Sequence, residues 1–374
     1  MRLTFLGPLY ARQGPYACAY IDTSRDLDDP DRSIDLRRRH LEDQLAAQGA
    51  DTATTGAIAR VVGTDRDLPG RHGQAIFAAH GRLALAEELP DPPPGDTARL
   101  AMVPDAMPLA LQHAPDIPYV AAVVHRIAQP PGSRTAEAEV EVTVQAGRWP
   151  TARVAPGHRT RRQVPAWGSP RPKAGGEWRQ AATEVAGQIA DLADRDEAEA
   201  IVLSGDHRAR NTIARELPRR LRPRVIAIDS TGRGTEPERA LLEEELRYLF
   251  RGRLSARDQA CVERFLTRRA RGSGTTKGLA DTVTALRRAQ AEAVLINDPF
   301  DLNQRLWVGM APKQIAANQA ELRGLGVEAG WEEAADAALI RAVVGTGAEL
   351  VVVPRDDLPL PDGLGALLRY PDAG

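Results

Sequence analysis

Short apolar runs alternate with helical stripes along most of the chain. Tyr16-Ala-Cys-Ala-Tyr-Ile21 predicts a strand that ends at Asp22. Residues 34–47 carry Ile34, Leu41 and Leu45 among charges, the pattern of an amphipathic helix, and 52–62 predicts a second helix. Residues 74–79 and 83–89 flank His80-Gly81-Arg82 and predict a β-hairpin. Asp91-Pro-Pro-Pro-Gly95 is a loop, because proline cannot donate to a ladder. These elements define a first α/β domain over 1–115.

Pro115 to Pro118 marks a boundary, and a second domain spans 118–270. Its strands are expected at 119–127, 137–144, 200–205 and 224–229, its helices at 181–192, 237–250 and 261–269. Glu137 to Val144 alternates acidic and apolar residues, so one face of that strand is wet. Two strands joined through the helix after Asp206 form a βαβ unit in a mixed sheet. Asp206 is placed to cap that helix. Residues 145–180 show no periodicity.

Arg271-Gly-Ser-Gly-Thr-Thr276 is read as a linker to a third domain, 273–374. Helices are expected at 279–289, 312–322 and 333–346, and strands at 293–297, 349–353 and 365–370. That alternation predicts an α/β/α sandwich. The fold class is thus α/β in three domains, with no internal repeat.

Composition narrows the function classes. Hydrophobic residues make up 43% of 374, enough for several cores, and no apolar run is long enough for a transmembrane helix. Met1 to Gly14 lacks a basic start followed by an apolar stretch, so no signal peptide is expected, and a cytoplasmic location fits. Cys18 and Cys261 are expected to be separate buried thiols. The histidines have no ligand spacing, so neither a metal nor a cofactor is expected.

Net charge is only −2, but its distribution is uneven. Forty-six of the 49 basic residues are arginine, a bias that a GC-rich genome explains. Their clustering is a separate matter. Between 148 and 179 stand Arg148, Arg153, Arg159, Arg161, Arg162, Arg171, Lys173 and Arg179 against Glu177, with Trp149, Trp167 and Trp178 interleaved. Arginine binds phosphate bidentately and tryptophan stacks on bases, so this mixture suits RNA. The alternative is a solvated loop whose tryptophans pack back on the domain. A second basic run, 207–224, includes Arg208, Arg210, Arg215 and Arg219 against Glu216 alone. It reads either as a solvated face or as a surface that tracks phosphates. Gly175-Gly176-Glu177 is the candidate for a backbone that approaches another molecule closely. Ser204-Gly205-Asp206-His207 lacks a nucleophile elbow and reads as a turn. Turn or cap roles are also expected for Asp22 and Asp229.

The order of Ile201-Val-Leu-Ser-Gly205, Val225-Ile-Ala-Ile-Asp229, the Gly-rich linker, Gly278-Leu-Ala-Asp-Thr-Val-Thr-Ala-Leu286, Ala293-Val-Leu-Ile-Asn-Asp298 and Gly363-Leu-Gly-Ala-Leu-Leu-Arg-Tyr370 resembles the archaeal/eukaryotic class-one peptide release factor and pelota superfamily. More narrowly, it is similar to the bacterial branch that includes the hibernation factor Balon. The resemblance covers 118–371. It implies a pelota-like third domain, a ribosomal A-site partner, and contact with a translational GTPase such as the tRNA-delivering elongation factor. It also aligns Gly175 and Gly176 with the family's Gly-Gly-Gln, with Glu177 at the glutamine position. A carboxylate there adds negative charge beside phosphates, so the expected activity is ribosome binding in hibernation or rescue without peptide release. The rival readings are a peptidyl-tRNA hydrolase acting through Gly175-Gly176-Glu177, and a general RNA-binding or interaction module.

Overall fold

The computed structural model describes residues 1–66, 68, 70–127, 137–150, 158–165, 175–228 and 245–370. Its three α/β domains gather into two compact units. One joins Met1–Pro115 to Gly252–Gly374, and the other is Asp116–Arg251.

In the first unit, β1 (Tyr16–Asp22), β2 (Gly73–Ala79), β3 (Arg82–Leu89) and β4 (Thr97–Ala101) form an antiparallel sheet in the order β3-β2-β1-β4. Successive side chains of a strand point to opposite faces. Ala17, Ala19 and Ile21 accordingly pack under α2 (Pro30–Ala47) and α3 (Thr52–Ala59), with Leu41, Leu45 and Ile58. Tyr16, Cys18 and Tyr20 face the other way, into a core shared with Leu279, Val283, Leu339 and Val343. Burial on both faces explains why β1 reads as an unbroken apolar run. Each of α2 and α3 starts at an aspartate cap, Asp29 and Asp51. A short α1 (Gly7–Tyr10), β4 and α4 (Met107–His113) complete the domain beyond the elements expected from sequence.

The same unit holds a second sheet, β10 (Thr275–Lys277), β16 (Leu364–Leu368), β11 (Ala291–Asp298) and β15 (Glu349–Pro354), in that spatial order. Val294, Ile296, Leu350, Leu364 and Ala366 join the core shared with the first domain. The opposite face, with Leu295, Val351, Val353 and Leu367, is covered by Cys261 and Phe265 of α7 (Ala256–Ala270). Burying one such phenylalanine is worth roughly 1.5–3 kcal/mol. The helix expected to close the middle domain is therefore one layer of the C-terminal α/β/α sandwich. The other layer is α8 (Gly278–Arg287), beside a helix at Ala335–Thr346. The expected boundary at 270/273 runs between α7 and the sheet it covers. The Met1 amino group also reaches α7, 3.0 Å from Asp258 Oδ1.

The helix expected over 312–322 is replaced by two elements. Ile315–Ala316 is a short strand, β13, paired with β12 (Arg305–Val308). Then α9 (Gln319–Gly324) starts where the Asn318 side chain accepts from Glu321 N at 3.0 Å. Burial of Ile315 and Ala316 and the asparagine cap together override the helical stripe. β14 (Trp331–Ala334) takes the start of the last expected helix, and α10 is Ala335–Thr346.

In the second unit the sheet order is β7 (His158–Pro165), β6 (Glu137–Trp149), β5 (Ile117–Ile127), β8 (Ala200–Gly205), β9 (Val225–Ile228). The β5-β8 and β8-β9 pairs are parallel, while β5-β6 and β6-β7 are antiparallel. One face packs against α5 (Gly175–Arg195) and α6 (His207–Glu216), through Val185, Ile189 and Ile213. The other buries Tyr119 and Val202 under Leu246 and Phe250. The strand expected at 137–144 runs on to Trp149, and β7 occupies part of the stretch without periodicity. Residues 237–244 of the expected helix, and Asp229, lie outside the described residues.

Candidate nucleic-acid interface

The exposed arginines of the middle domain centre on α6 and the turn that follows it. α6 exists because Asp206 caps it, accepting from Arg208 N at 3.1 Å and Ala209 N at 2.9 Å. Ahead of the cap, Gly205 adopts φ +97°, and a Cβ there would stand 2.0 Å from Val124 O, so only glycine fits. Ser204 is buried at the end of β8, its hydroxyl 3.4 Å from Glu245 Oε2, as part of this strand-to-helix turn. Ala209, Ile213 and Leu217 bury the inner face of the helix.

The outer face is basic. Arg208 and Arg215, two turns apart, share it and are exposed, as are Arg219, Arg220, Arg222 and Arg224 beyond the helix end. Arg215 and Arg219 form no ion pair among the described residues, while Arg220 pairs with Asp194. Arg222 donates to Leu217 O at 3.0 Å and Arg224 to Ala198 O at 2.9 Å, which anchors the turn against the domain. Glu216, the one acid of the segment, is held by Arg179 at 3.1 Å, so Arg179 extends the basic surface onto α5.

Arg210 is a correction to the candidate set. It is 4% exposed, and its guanidinium donates to Ile228 O at the end of β9. Its position, three residues before Ile213, turns it inward, where it ties α6 to the sheet edge instead of meeting a phosphate. Trp149 also packs inward, 6.0 Å from the Phe250 ring and tilted 33° to it. Arg148 is half-exposed and engaged with Asp116. Of the other candidates, Arg159, Arg161 and Arg162 lie on β7, where register sets them opposite Thr143, Glu141 and Val140. Arg153, Trp167, Arg171 and Lys173 lie outside the described residues. Trp178 lies in the first turns of α5. So do Gly175, Gly176 and Glu177, whose backbone is helical, not the loop expected from sequence.

Elsewhere, Asp22 Oδ1 accepts from Ser24 N at 2.9 Å, a turn role, and Cys18 and Cys261 are buried free thiols. Among the described residues there is no group of three His, Cys, Asp or Glu side chains able to hold a metal, and no helix long and apolar enough to cross a membrane.

Residues 118–271, which contain this sheet, both of its helices and α7, match the model of a family described as bacterial archaeo-eukaryotic release factor family 2. This segment resembles the bacterial branch of the archaeal/eukaryotic release-factor superfamily. An uncharacterized protein of Mycobacterium tuberculosis strain H37Rv, Rv2629, is 28% identical, with 99% of this chain and 97% of that protein covered. The counterpart in strain CDC 1551, MT2704, matches to the same extent. Among solved structures, ribosome-bound archaeal Pelota is 14% identical with a TM-score of 0.37, covering 98% of this chain and 93% of that one. Pelota of Archaeoglobus fulgidus is 14% identical with a TM-score of 0.33, covering 81% of each. The release-factor-type domain carries the arginine surface of α6 on its exposed side.

Proposed function

We propose that this release-factor-like protein binds the ribosome at the A site without releasing the nascent peptide, in hibernation or rescue, through the arginine surface of the middle domain. The observation that carries the reading is the release-factor family match over 118–271. The exposed Arg208, Arg215 and Arg219 supply the cations that a ribosomal RNA backbone needs. By the resemblance of residues 278–370 to the pelota superfamily, the third domain meets a translational GTPase.

Two observations favour a non-hydrolytic occupant. By the resemblance, Glu177 stands where the family has glutamine, and an ionised carboxylate offers no donor to a developing oxyanion. Gly175-Gly176-Glu177 is also wound into the first turn of α5, which ties it to a helix instead of a free tip.

The test uses 70S ribosomes carrying peptidyl-tRNA in the P site. The protein is expected to compete with A-site tRNA for binding and to release no peptide in a single turnover, and Glu177→Gln is expected to bind equally well. Rapid release by the wild type would overturn the reading, as would binding that A-site tRNA leaves unaffected.

A further inference from the structure

A small cavity inside the first unit lies where the first domain meets the third. Cys18 and Tyr20 of β1, Arg99 of β4 and Asp105 line it from the first domain, and Glu333 of β14 and Ala337 of α10 from the third. We propose that this cavity is a pH-sensitive clasp, in which carboxyl groups contributed by both domains hold the two together in acid and weaken their docking as pH rises.

The geometry keeps Asp105 at the cavity. Its backbone carbonyl accepts from Tyr20 Oη at 2.7 Å, and its Oδ1 accepts from Met107 N at 3.3 Å. Both anchors belong to the first domain. Across the cavity stands Glu333, 9% exposed and accepting from Trp331 Nε1 at 3.1 Å, while Asp336 at the start of α10 does not line the cavity but lies near enough for its charge to act on Asp105. Arg99 is the cation lining the cavity, and Arg341 of α10 is spent on the carbonyls of Gly309, at 2.9 Å, and Met310. Cys18, Tyr20 and Tyr10 beside them are buried with raised pKa values, Cys18 to about 12, so they stay neutral. Two carboxyl groups, one from each domain, thus line one cavity, with Arg99 acting on both and Arg305 and the Val103 backbone on Glu333.

Burial, then the charge of Asp336, pushes the Asp105 carboxyl up from 3.8 to about 6, and burial also raises Glu333. A carboxyl with a raised folded-state pKa binds its proton more tightly when the domains are docked. Its stabilisation is therefore full below about pH 4 and is lost as pH rises through about 6. Between pH 5 and 8 that linkage corresponds to a roughly ten-fold fall in the ratio of docked to opened chains.

The test is native-state hydrogen exchange on the full chain, corrected for intrinsic rates. Opening constants of the β4 and β14 amides are expected to rise about ten-fold from pH 5 to pH 8, while those of β5 and β8 in the middle domain stay level. Asp105→Asn keeps the acceptor for Met107 N and removes the charge, so its β4 and β14 amides should show no such rise. Equal pH dependence in Asp105→Asn, or level β4 and β14 amides in the wild type, would overturn the proposal. The carboxyl of Asp105 can also be followed directly by NMR in the wild type. A midpoint near 6 that moves down in Glu333→Gln supports the clasp, and a midpoint near 4 contradicts it.

Discussion

Arg148 grips Asp116 from two nitrogens, Nε to Oδ1 at 2.5 Å and Nη2 to Oδ2 at 2.9 Å. Asp116 sits at φ +59°, and the fork holds it where the chain enters β5. Both side chains are partly exposed, 51% and 29%, which limits the worth of the pair to about 1 kcal/mol or less. Arg148→Ala is expected to lower the urea midpoint slightly and to leave the salt dependence of ribosome binding unchanged. A change in that salt dependence would return Arg148 to the phosphate-facing set.

Arg210 behaves differently because it is buried. Truncation removes its bond to Ile228 O and the packing of its stem between α6 and β9. Arg210→Ala is expected to cost on the order of 2–3 kcal/mol, measured by urea unfolding. Ribosome affinity at a temperature where the variant is fully folded should match the wild type. Unchanged stability with weakened binding would reverse the assignment.

The third domain does not own both faces of its sheet. A fragment from residue 273 onward lacks α7, so Leu295, Val351, Val353 and Leu367 would meet water, as would the face that packs against the first domain. Such a fragment is expected to bind ANS and to unfold without cooperativity, whereas the fragment 116–251 should unfold in one sharp transition. A cooperative, ANS-negative fragment 273–374 would show that the sandwich is self-sufficient.

That outcome turns on what sequence can and cannot express. The strands of apolar runs were legible: β1, β8, β11 and β15 lie where Tyr16-Ala-Cys-Ala-Tyr-Ile21, Ala200-Ile-Val-Leu-Ser-Gly205, Ala293-Val-Leu-Ile-Asn297 and Glu349-Leu-Val-Val-Val353 predict them. The Asp206 cap was legible as well. β7 was not, because His158-Arg-Thr-Arg-Arg-Gln163 is an edge strand with no apolar alternation to mark it. Nothing local in 256–270 says which sheet its Cys261 and Phe265 will cover, since that choice is made by residues up to a hundred positions away.

The candidate surface shows the same division. Arginine clustering locates the basic face of α6, yet it does not tell the buried Arg210 from the exposed Arg208 and Arg215. A signal was present, because Arg210, Ile213, Ala214 and Leu217 fall at the i, i+3, i+4, i+7 spacing of one helix face. Asp105, Glu333 and Asp336 gave no signal, because only the docking of the first and third domains brings them together.

The most direct test of ribosome binding through the arginine surface is the affinity of the wild-type protein for vacant 70S ribosomes across a salt series, beside Arg215→Ala/Arg219→Ala. Each phosphate neutralised contributes roughly −0.7 to −0.9 to the slope of log affinity against log salt. The wild type is expected to bind with a steep negative slope. The double variant should bind more weakly, with a slope shallower by about 1 to 2 and an unchanged melting temperature. A wild-type affinity indifferent to salt, or a double variant whose slope equals the wild type's, would contradict the account.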